Sequence, residues 1–193
     1  VPLSASQYGS TQNLDSGDSR MQSGYYQNKI IHAVHTASDA GYAVVKYYRI
    51  NPSSFATKSF TVTGKDAKLD YCYPAVLPFT KEITSDASFI AFHASGTDYY
   101  PMMRGKVFNH DFTTIASQLV KSREGSMTDC YNSDRETNRW GDYMGLAYHY
   151  GNTIPTVWMA GSLASNSLGW VTYIAEANVI NVSRVHDTEI NTE

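Results

Sequence analysis

Apolar and aromatic residues occur along this chain in short runs that alternate with turns rich in glycine, proline and polar residues. One such run, Tyr42–Ile50, is β-branched and aromatic and ends before Pro52, and another, residues 58–63, ends at Gly64. Runs of this length bounded by turn residues are typical of β-strands. Two further strands are predicted around a turn at residues 27–29, which makes four strands and no helix in this part of the chain.

The same pattern recurs twice further along the chain. The second group of runs lies at residues 71–79, 88–93 and 99–108, and the third at 143–149, 156–162 and 170–176. Pro74 and Pro78 restrict the first run of the second group to an edge strand or a broken strand. A polar insertion at residues 109–137 separates the two groups, and a helical turn is predicted within it at 112–121.

The three groups predict an all-β fold, a β-propeller segment of about three four-stranded antiparallel blades. Repeats of this length with four short strands each are typical of propeller blades. The apolar runs 89–92 and 157–160 are continuous, as expected for strands covered on both faces by neighbouring blades. A β-sandwich, which would show cleaner alternation with one solvated face, is the alternative.

The predicted organisation is an N-terminal connector, three blades and a closing segment. The connector covers residues 1–18, the blades cover about 19–64, 69–126 and 138–177, and residues 178–193 form a closing strand or tail. Three blades do not close a ring, so a six- or seven-bladed ring is expected, completed by missing blades or by a second polypeptide. Because the chain begins with Val1 and not with Met, we expect a cleaved or trimmed product with something preceding it.

The composition favours a secreted or cell-surface β protein. Charged residues make up only 17% and there are 15 tyrosines, while the net charge of −3 argues against a nucleic-acid partner, which needs a dense field of lysine and arginine. No apolar run is long enough for a transmembrane helix. Cys72 and Cys130 are predicted to form a disulfide; two buried thiols in a reducing compartment are the alternative. Asn181 begins the chain's one glycosylation sequon.

Several segments resemble the C-terminal blades of bacterial exported β-propeller proteins of sialidase-like, BNR-type architecture. The resemblance is carried by residues 18–20, 25–29, 32–36, 73–76 and 90–96, and above all by NRWGDY at 138–143, VWMAG at 157–161 and LGWVT at 168–172. Their order and spacing agree over residues 14–177, and the resemblance implies a propeller fold. The Ser-x-Asp-x-Gly-x-x-Trp box of true sialidases is absent, which argues against sialidase activity.

Three arginines, Arg20, Arg104 and Arg139, occur once per repeat near strand ends. Sialidases hold a carboxylate with three arginines from different blades, so the resemblance implies that these residues bind a ligand. The alternative is that Arg139 pairs with Asp142, and Arg20 with Asp18, at blade corners. In that interpretation Trp140 packs between blades and Gly141 permits a tight turn.

Catalytic groups are not singled out by any spacing. The carboxylates considered for a glycosidase are Asp70, Asp98, Asp142 and Glu176, and the bases considered for a lyase are His93, Tyr99, Tyr100 and His149. Tyrosines predicted near strand ends, where they could stack on sugars, are Tyr25, Tyr26, Tyr99, Tyr100, Tyr131, Tyr148 and Tyr150.

No cofactor is expected, and calcium at the acidic turns 15–18 and 129–136 is the one metal considered, although both turns lack the usual calcium-loop pattern. His32 and His35 point to opposite faces of a predicted strand and are not expected to share a metal. The sequence favours a non-catalytic binding or scaffold module with a possible glycan ligand. The alternative is a carbohydrate-active enzyme, a glycosidase or polysaccharide lyase that acts on acidic glycans.

Overall fold

The computed structural model describes residues 2–78, 87–109, 112, 114–122, 137–149, 156–164 and 170–178. Within these residues the chain is all-β, as predicted, with one short 3-10 helix at Lys65–Ala67. The strands are β1 (Asn13–Leu14), β2 (Ser23–Gln27), β3 (Ile30–Asp39), β4 (Tyr42–Ile50), β5 (Thr57–Val62), β6 (Leu69–Pro78), β7 (Ser88–Gly96), β8 (Tyr99–Phe108), β9 (Thr114–Ser122), β10 (Thr137–Asn138), β11 (Gly145–Tyr148), β12 (Thr156–Ala164) and β13 (Trp170–Asn178).

Four of the residues singled out from the sequence lie outside this part of the chain. They are Cys130, Tyr131, Tyr150 and Asn181. The acidic turn at 129–136 and the closing segment beyond Asn178 lie outside it as well. The disulfide and the glycosylation site therefore stay predictions. Cys72 is buried in β6 and is not bonded to a cysteine among the described residues.

The strands form three antiparallel sheets in chain order and one short parallel pair. Sheet 1 has the order β2-β3-β4-β5, sheet 2 has the order β6-β7-β8-β9, and sheet 3 has the order β11-β12-β13. The pair β1-β10 joins the N-terminal segment to the start of the third group. Each group of apolar runs in the sequence thus forms one sheet, and among the described residues no sheet closes on itself.

A tight hairpin turn opens sheet 1 at the position predicted from residues 27–29. Asn28 and Lys29 connect β2 to β3 and have φ angles of 52° and 62°. Two consecutive positive φ angles are typical of a type I′ turn, whose twist matches that of the paired strands. Asparagine tolerates positive φ angles better than most residues.

The helical turn predicted at residues 112–121 is wrong, because β9 forms an extended strand at Thr114–Ser122. It pairs with β8 from Met102 to Phe108, with two shifts of register along the way. Without β9, the outer backbone groups of β8 would lack partners in the sheet. Completing this hydrogen-bond ladder outweighs a local helical preference that rested on a few residues.

Strand β6 is the irregular edge strand that its two prolines predicted. Its register against β7 shifts between Cys72 and Ala75, and Tyr73 has a φ angle of 51°. The Tyr73 amide, displaced from the ladder, donates to Thr36 Oγ1 of sheet 1 at 3.0 Å. The irregularity therefore ties sheet 2 to sheet 1.

Sheet 2 lies between the other two sheets and supplies both of the larger apolar cores. On one side Ile90 and Phe92 of β7 pack into a cluster with residues of sheet 1, among them Tyr47. On the other side Phe89 and Ala91 pack with residues of sheet 3. All nine residues of β7 are buried, which confirms the two-sided burial predicted for the run 89–92.

For the run 157–160 in β12, the described residues cover one face only, so the prediction of two-sided burial stays a prediction there. Val157 and Met159 are buried against sheet 2, whereas Trp158 and Ala160 are only half-buried. They lie on the face of sheet 3 that points away from sheet 2, and no described element covers that face. Strand β12 is therefore packed on one side within the described residues.

Gly105 of β8 provides a test of how tightly sheet 2 is packed. A Cβ atom at this position would lie 2.4 Å from Cζ of the buried Phe89. We expect Gly105→Ala to lower the free energy of unfolding by roughly 1–3 kcal/mol, as overpacking of a core usually does. Urea unfolding followed by circular dichroism measures this change.

Gly24→Ala in β2 is the matched control. Its added Cβ atom would be 3.5 Å from the nearest heavy atom, the backbone oxygen of His32, which is an ordinary contact. It should change the free energy of unfolding by no more than about 0.5 kcal/mol. Equal stability of the two variants would show that the core around Phe89 adapts freely.

Candidate functional site

A corner of the chain at residues 139–144 leads from β10 into β11 and is anchored by Trp140. The Trp140 side chain is 2% exposed and belongs to a buried cluster that spans several parts of the fold. The cluster contains Ala5 and Leu14 of the N-terminal segment, Cys72 and Tyr73 of sheet 2, and Ala164 of sheet 3. The predicted packing of Trp140 between sheets is thus confirmed.

Gly141 makes the corner tight enough to close over the core. Its φ angle is 64°, and a Cβ atom there would lie 2.7 Å from Cε1 of His93. Glycine is required for both reasons, since other residues rarely adopt this conformation and none has room for a side chain. The predicted role of Gly141 in a tight turn is confirmed.

Both ion pairs given as the alternative to a ligand role are present, and one of them lies at this corner. Arg139 donates to Asp142 at 2.5 Å, and Arg20 donates to Asp18 at 2.6 Å. The hydrogen bond that Arg139 donates to Asp142 raises the pKa of Arg139, and the one that Arg20 donates to Asp18 lowers the pKa of Asp18. Both arginines are therefore neutralised by a nearby carboxylate.

A cavity of about 600 Å³ opens beside the corner. It is lined by Arg139, Trp140, Gly141, Asp142, Tyr143, Gly145, Ala160, Gly161, Ser162 and Thr172. Small residues of β11 and β12 form the floor, and the Tyr143 side chain stands 84% exposed at the rim. The hydrogen bond to Asp18 first, and then the nearby Tyr143, raise the pKa of Arg20, which does not itself line the cavity. The cavity is large enough for a ring-sized ligand.

His93, a predicted ligand residue, lies beneath this floor and does not reach the surface. It is fully buried in β7, with its ring 4.6 Å from that of Trp140. The Nε2 atom accepts the Ser162 amide hydrogen at 3.1 Å. Burial lowers the pKa of His93 to about 3, so the imidazole is neutral at physiological pH.

The proximity of Ser162 to His93 resembles a nucleophile and its base, but the geometry does not support that chemistry. Ser162 Oγ is 3.3 Å from His93 Nε2, whose single lone pair already accepts the Ser162 amide. The opposite nitrogen, Nδ1, is buried without a hydrogen-bond partner, so no carboxylate orients the ring. A base with a pKa of about 3 is also too weak to activate a hydroxyl.

Arg104, the third predicted arginine, does not join the other two. It lies opposite Phe92 in the β7–β8 register, on the side of sheet 2 that packs against sheet 1. Its Nη1 atom is 3.9 Å from the sulfur of Met102, and its Nε is buried without a partner. The cavity lies on the side of sheet 3, and of the three predicted arginines only Arg139 lines it.

The predicted tyrosines fall into two other places. Tyr99 and Tyr100 begin β8, where the Tyr99 carbonyl accepts the Tyr8 amide at 3.1 Å and the Tyr100 ring meets the Tyr8 ring edge-on at 5.0 Å. Tyr148 donates to Gln27 Oε1 at 2.5 Å, between β11 and β2. None of these three tyrosines lines the cavity.

A histidine and a glutamate that the sequence offered separately form a pair on the outer face of sheet 3. His149 Nδ1 lies 2.6 Å from Glu176 Oε1, and the Trp158 ring lies 5.0 Å from the imidazole. Trp158 and Glu176 face each other in the β12–β13 register. No spacing in the sequence indicated that His149 and Glu176 form a pair, because the register of β12 and β13 comes only from the fold.

A buried polar network accounts for His32. Its Nδ1 lies 2.8 Å from the Tyr47 hydroxyl, which also accepts from Arg49 and donates to Ser88. His35 instead reaches Tyr48 on the opposite face of β3, so the prediction that the two histidines do not share a face is confirmed. Burial first, and then Arg49, lower the pKa of His32 to about 4.

The remaining carboxylates named from the sequence have partners in the structure, and the thiol of Cys72 is buried. Asp70 is buried and accepts the amides of Ser6 at 2.9 Å and Ala43 at 2.8 Å, and Asp98 pairs with Lys68 at 3.2 Å. Burial raises the pKa of Cys72 well above its usual range, which makes the thiol unreactive.

Comparison with known proteins adds no relative. No protein-family model matches the chain, and no curated protein or solved structure matches it.

In the described residues there is no cluster of three side chains suited to a metal ion. No helix of the described part has the length and apolarity to span a membrane. Fold and site thus define an all-β protein of three small packed sheets with an open cavity at one corner.

Trp140 and Tyr143, three residues apart, separate a structural role of the corner from a surface role. Trp140→Ala removes a buried ring shared by several elements, so it should lower the free energy of unfolding by about 3–5 kcal/mol. Tyr143→Ala removes an exposed ring and should change that energy by less than about 0.5 kcal/mol. Thermal and urea unfolding of both variants measure this; an unchanged melting temperature in Trp140→Ala would contradict the anchoring role.

The two buried histidines predict how stability depends on pH. Burial lowers the pKa of His32 to about 4 and of His93 to about 3, from the usual 6.5. At a pH between the lowered pKa of each histidine and 6.5, the unfolded chain binds a proton on that histidine and the folded chain does not. The free energy of unfolding should therefore fall as the pH drops below about 6.5, by roughly 1.4 kcal/mol per pH unit for each histidine.

Urea unfolding between pH 7 and pH 5 measures the slope, and a proton NMR titration assigns it. Asp70 acts in the opposite direction, because burial raises its pKa and favours the folded state on acidification. The assignment therefore depends on the imidazole resonances of His32 and His93, which should stay in the neutral form down to about pH 5. Midpoints near 6.5 for both would contradict the burial of these rings.

Proposed function

We propose that this chain is a segment of a β-propeller that acts as a non-catalytic binding or scaffold module of a secreted or cell-surface assembly. Three consecutive antiparallel sheets that stack face to face support a propeller arrangement. Their first strands, β2, β6 and β11, also lie on one side, because Tyr148 of β11 contacts both Gln27 and Tyr25 of β2. Blades of a propeller converge on its axis in this way.

The outer face of sheet 3 supports a neighbouring sheet in the assembly. It carries the half-buried side chains of Trp158 and Ile174, which a further blade would cover. That blade comes from missing blades of the ring or from a second polypeptide. The cavity opens beside this face, so the binding site lies where the next sheet begins.

The cavity at the corner carries the proposal of a ligand site, and a glycan fits it best. Tyr143 presents an exposed ring on which the C–H face of a sugar can stack. Next to it, Arg139 offers hydrogen-bond donors and Asp142 offers acceptors for hydroxyl groups. Such an aromatic surface beside a fixed set of donors and acceptors is suited to a polyhydroxylated ring.

Binding without turnover is favoured because the groups needed for glycoside chemistry are missing from the described part of the cavity. A glycosidase needs two carboxylates that flank the bond to be cleaved. Asp142 is the one carboxylate among the described lining residues, and Arg139 pairs with it. His93, beneath the floor, is neutral, and its available lone pair is already used.

A glycan array combined with product analysis tests this proposal. We expect the purified protein to bind glycans and to release no product from them. Tyr143→Ala should weaken binding by roughly tenfold or more, because it removes the stacking surface. Tyr26→Ala is the matched control, since Tyr26 is similarly exposed on β2 and does not line the cavity.

Two results would count against the proposal. Release of cleaved or unsaturated sugars would favour the carbohydrate-active enzyme. Equal loss of binding in Tyr143→Ala and Tyr26→Ala would place the binding surface elsewhere.

A further inference from the structure

We propose that the cavity selects uncharged glycans over acidic ones, an inference that rests on the proposed glycan-binding function. The chemical class it takes is a neutral sugar unit with two adjacent hydroxyl groups.

Arg139, the cation that lines the described part of the cavity, and Arg20, which does not line it, are each occupied by a carboxylate of the protein. Arg139 and Asp142 are 2.5 Å apart, and Arg20 and Asp18 are 2.6 Å apart. A ligand carboxylate that approached Arg139 would come within reach of Asp142 as well. The repulsion between the two carboxylates would offset the attraction to the guanidinium.

A third carboxylate makes the rim unfavourable for anions. Asp15 lies beside Arg139 in space, because its amide donates to the carbonyl of Asn138 at 2.8 Å, and its charge contributes to the raised pKa of Arg139. The lining pair Arg139–Asp142 is neutral, as is the pair Arg20–Asp18, so Asp15 adds a formal charge of −1 beside the cavity. This negative charge would disfavour the binding of an acidic sugar.

The floor adds no compensating positive charge. It is formed by Gly145, Ala160 and Gly161, with the hydroxyl-bearing Ser162 and Thr172 beside them. The nearest titratable group beneath it is His93, which burial keeps neutral. Small uncharged residues give a flat surface that excludes neither face of a sugar ring.

A neutral diol fits the same arrangement without breaking either ion pair. One hydroxyl can donate to Asp142 while its neighbour accepts from Arg139, because the two charged groups are adjacent and half-exposed. Hydrogen bonds to charged groups are stronger than those between neutral groups, so the intact pair contributes both affinity and orientation. The sugar ring then lies against Tyr143.

The variant Asp142→Asn separates the two ligand classes. It keeps the size of the side chain but removes its negative charge and leaves Arg139 unpaired. If the site takes neutral glycans, their affinity should fall roughly ten- to hundredfold, since a charged acceptor is lost. If it takes acidic glycans, their affinity should rise instead, which would overturn the proposal.

Isothermal titration with a neutral and an acidic oligosaccharide of equal length measures both affinities. For the wild-type protein we expect affinity for the neutral ligand only, and little change between about 0.05 and 0.5 M salt, because no net charge is neutralised on binding. Asp98→Asn is the matched control, since Asp98 also sits in an exposed ion pair, with Lys68, but does not line the cavity. It should leave binding unchanged.

The outcomes distinguish this inference from the proposed function. Binding of the acidic oligosaccharide alone, weakened by salt, would overturn the selectivity while leaving glycan binding in place. Binding of neither ligand would overturn both. Unfolding curves for Asp142→Asn and Asp98→Asn confirm that each variant is folded, so that a loss of affinity reports on the site.

Discussion

The fold depends on the burial of β7 on both of its faces. Both of the larger apolar cores of the described residues contain side chains of this strand, since one core lies between sheet 2 and sheet 1 and the other between sheet 2 and sheet 3. A strand in this position cannot alternate between apolar and polar side chains, because each face meets a protein surface. The one ionisable side chain it carries, His93, is consequently held neutral and hydrogen-bonded to sheet 3.

The cavity is a consequence of how the corner closes over this core. Trp140 fills the space between sheets 2 and 3, and the chain returns over it so closely that Gly141 and Gly161 have no room for side chains beside His93. The floor must therefore be made of small residues. Larger side chains can stand only at the rim, where Arg139, Asp142 and Tyr143 are found. The charged and aromatic groups of the site therefore lie at its rim, because the packing beneath the floor leaves no room for them there.

Much of the fold could be predicted from local features of the sequence, but the features that depend on strand register could not. The strands of sheet 1 and the turn at Asn28 follow from short-range pattern and turn chemistry. In β6, by contrast, the three steps from Cys72 to Ala75 lie opposite only two steps of β7, from His93 to Ala91. The alternation of side chains between the two faces of β6 therefore reverses at this point. No count along the sequence reveals such a shift, and the pairing of β9 with β8 carries two more.

The arginines show why the site was harder to predict than the fold. Three arginines at similar places in three repeats suggested a shared anion site, yet a shift of one position in a strand moves a side chain to the other face of its sheet. Arg104 faces sheet 1 for this reason. Arg20 and Arg139 each have a carboxylate two or three residues away, a spacing that closes an ion pair within one turn of the chain. The preference that we propose for the cavity therefore depends less on the number of arginines than on the carboxylates that already pair with them.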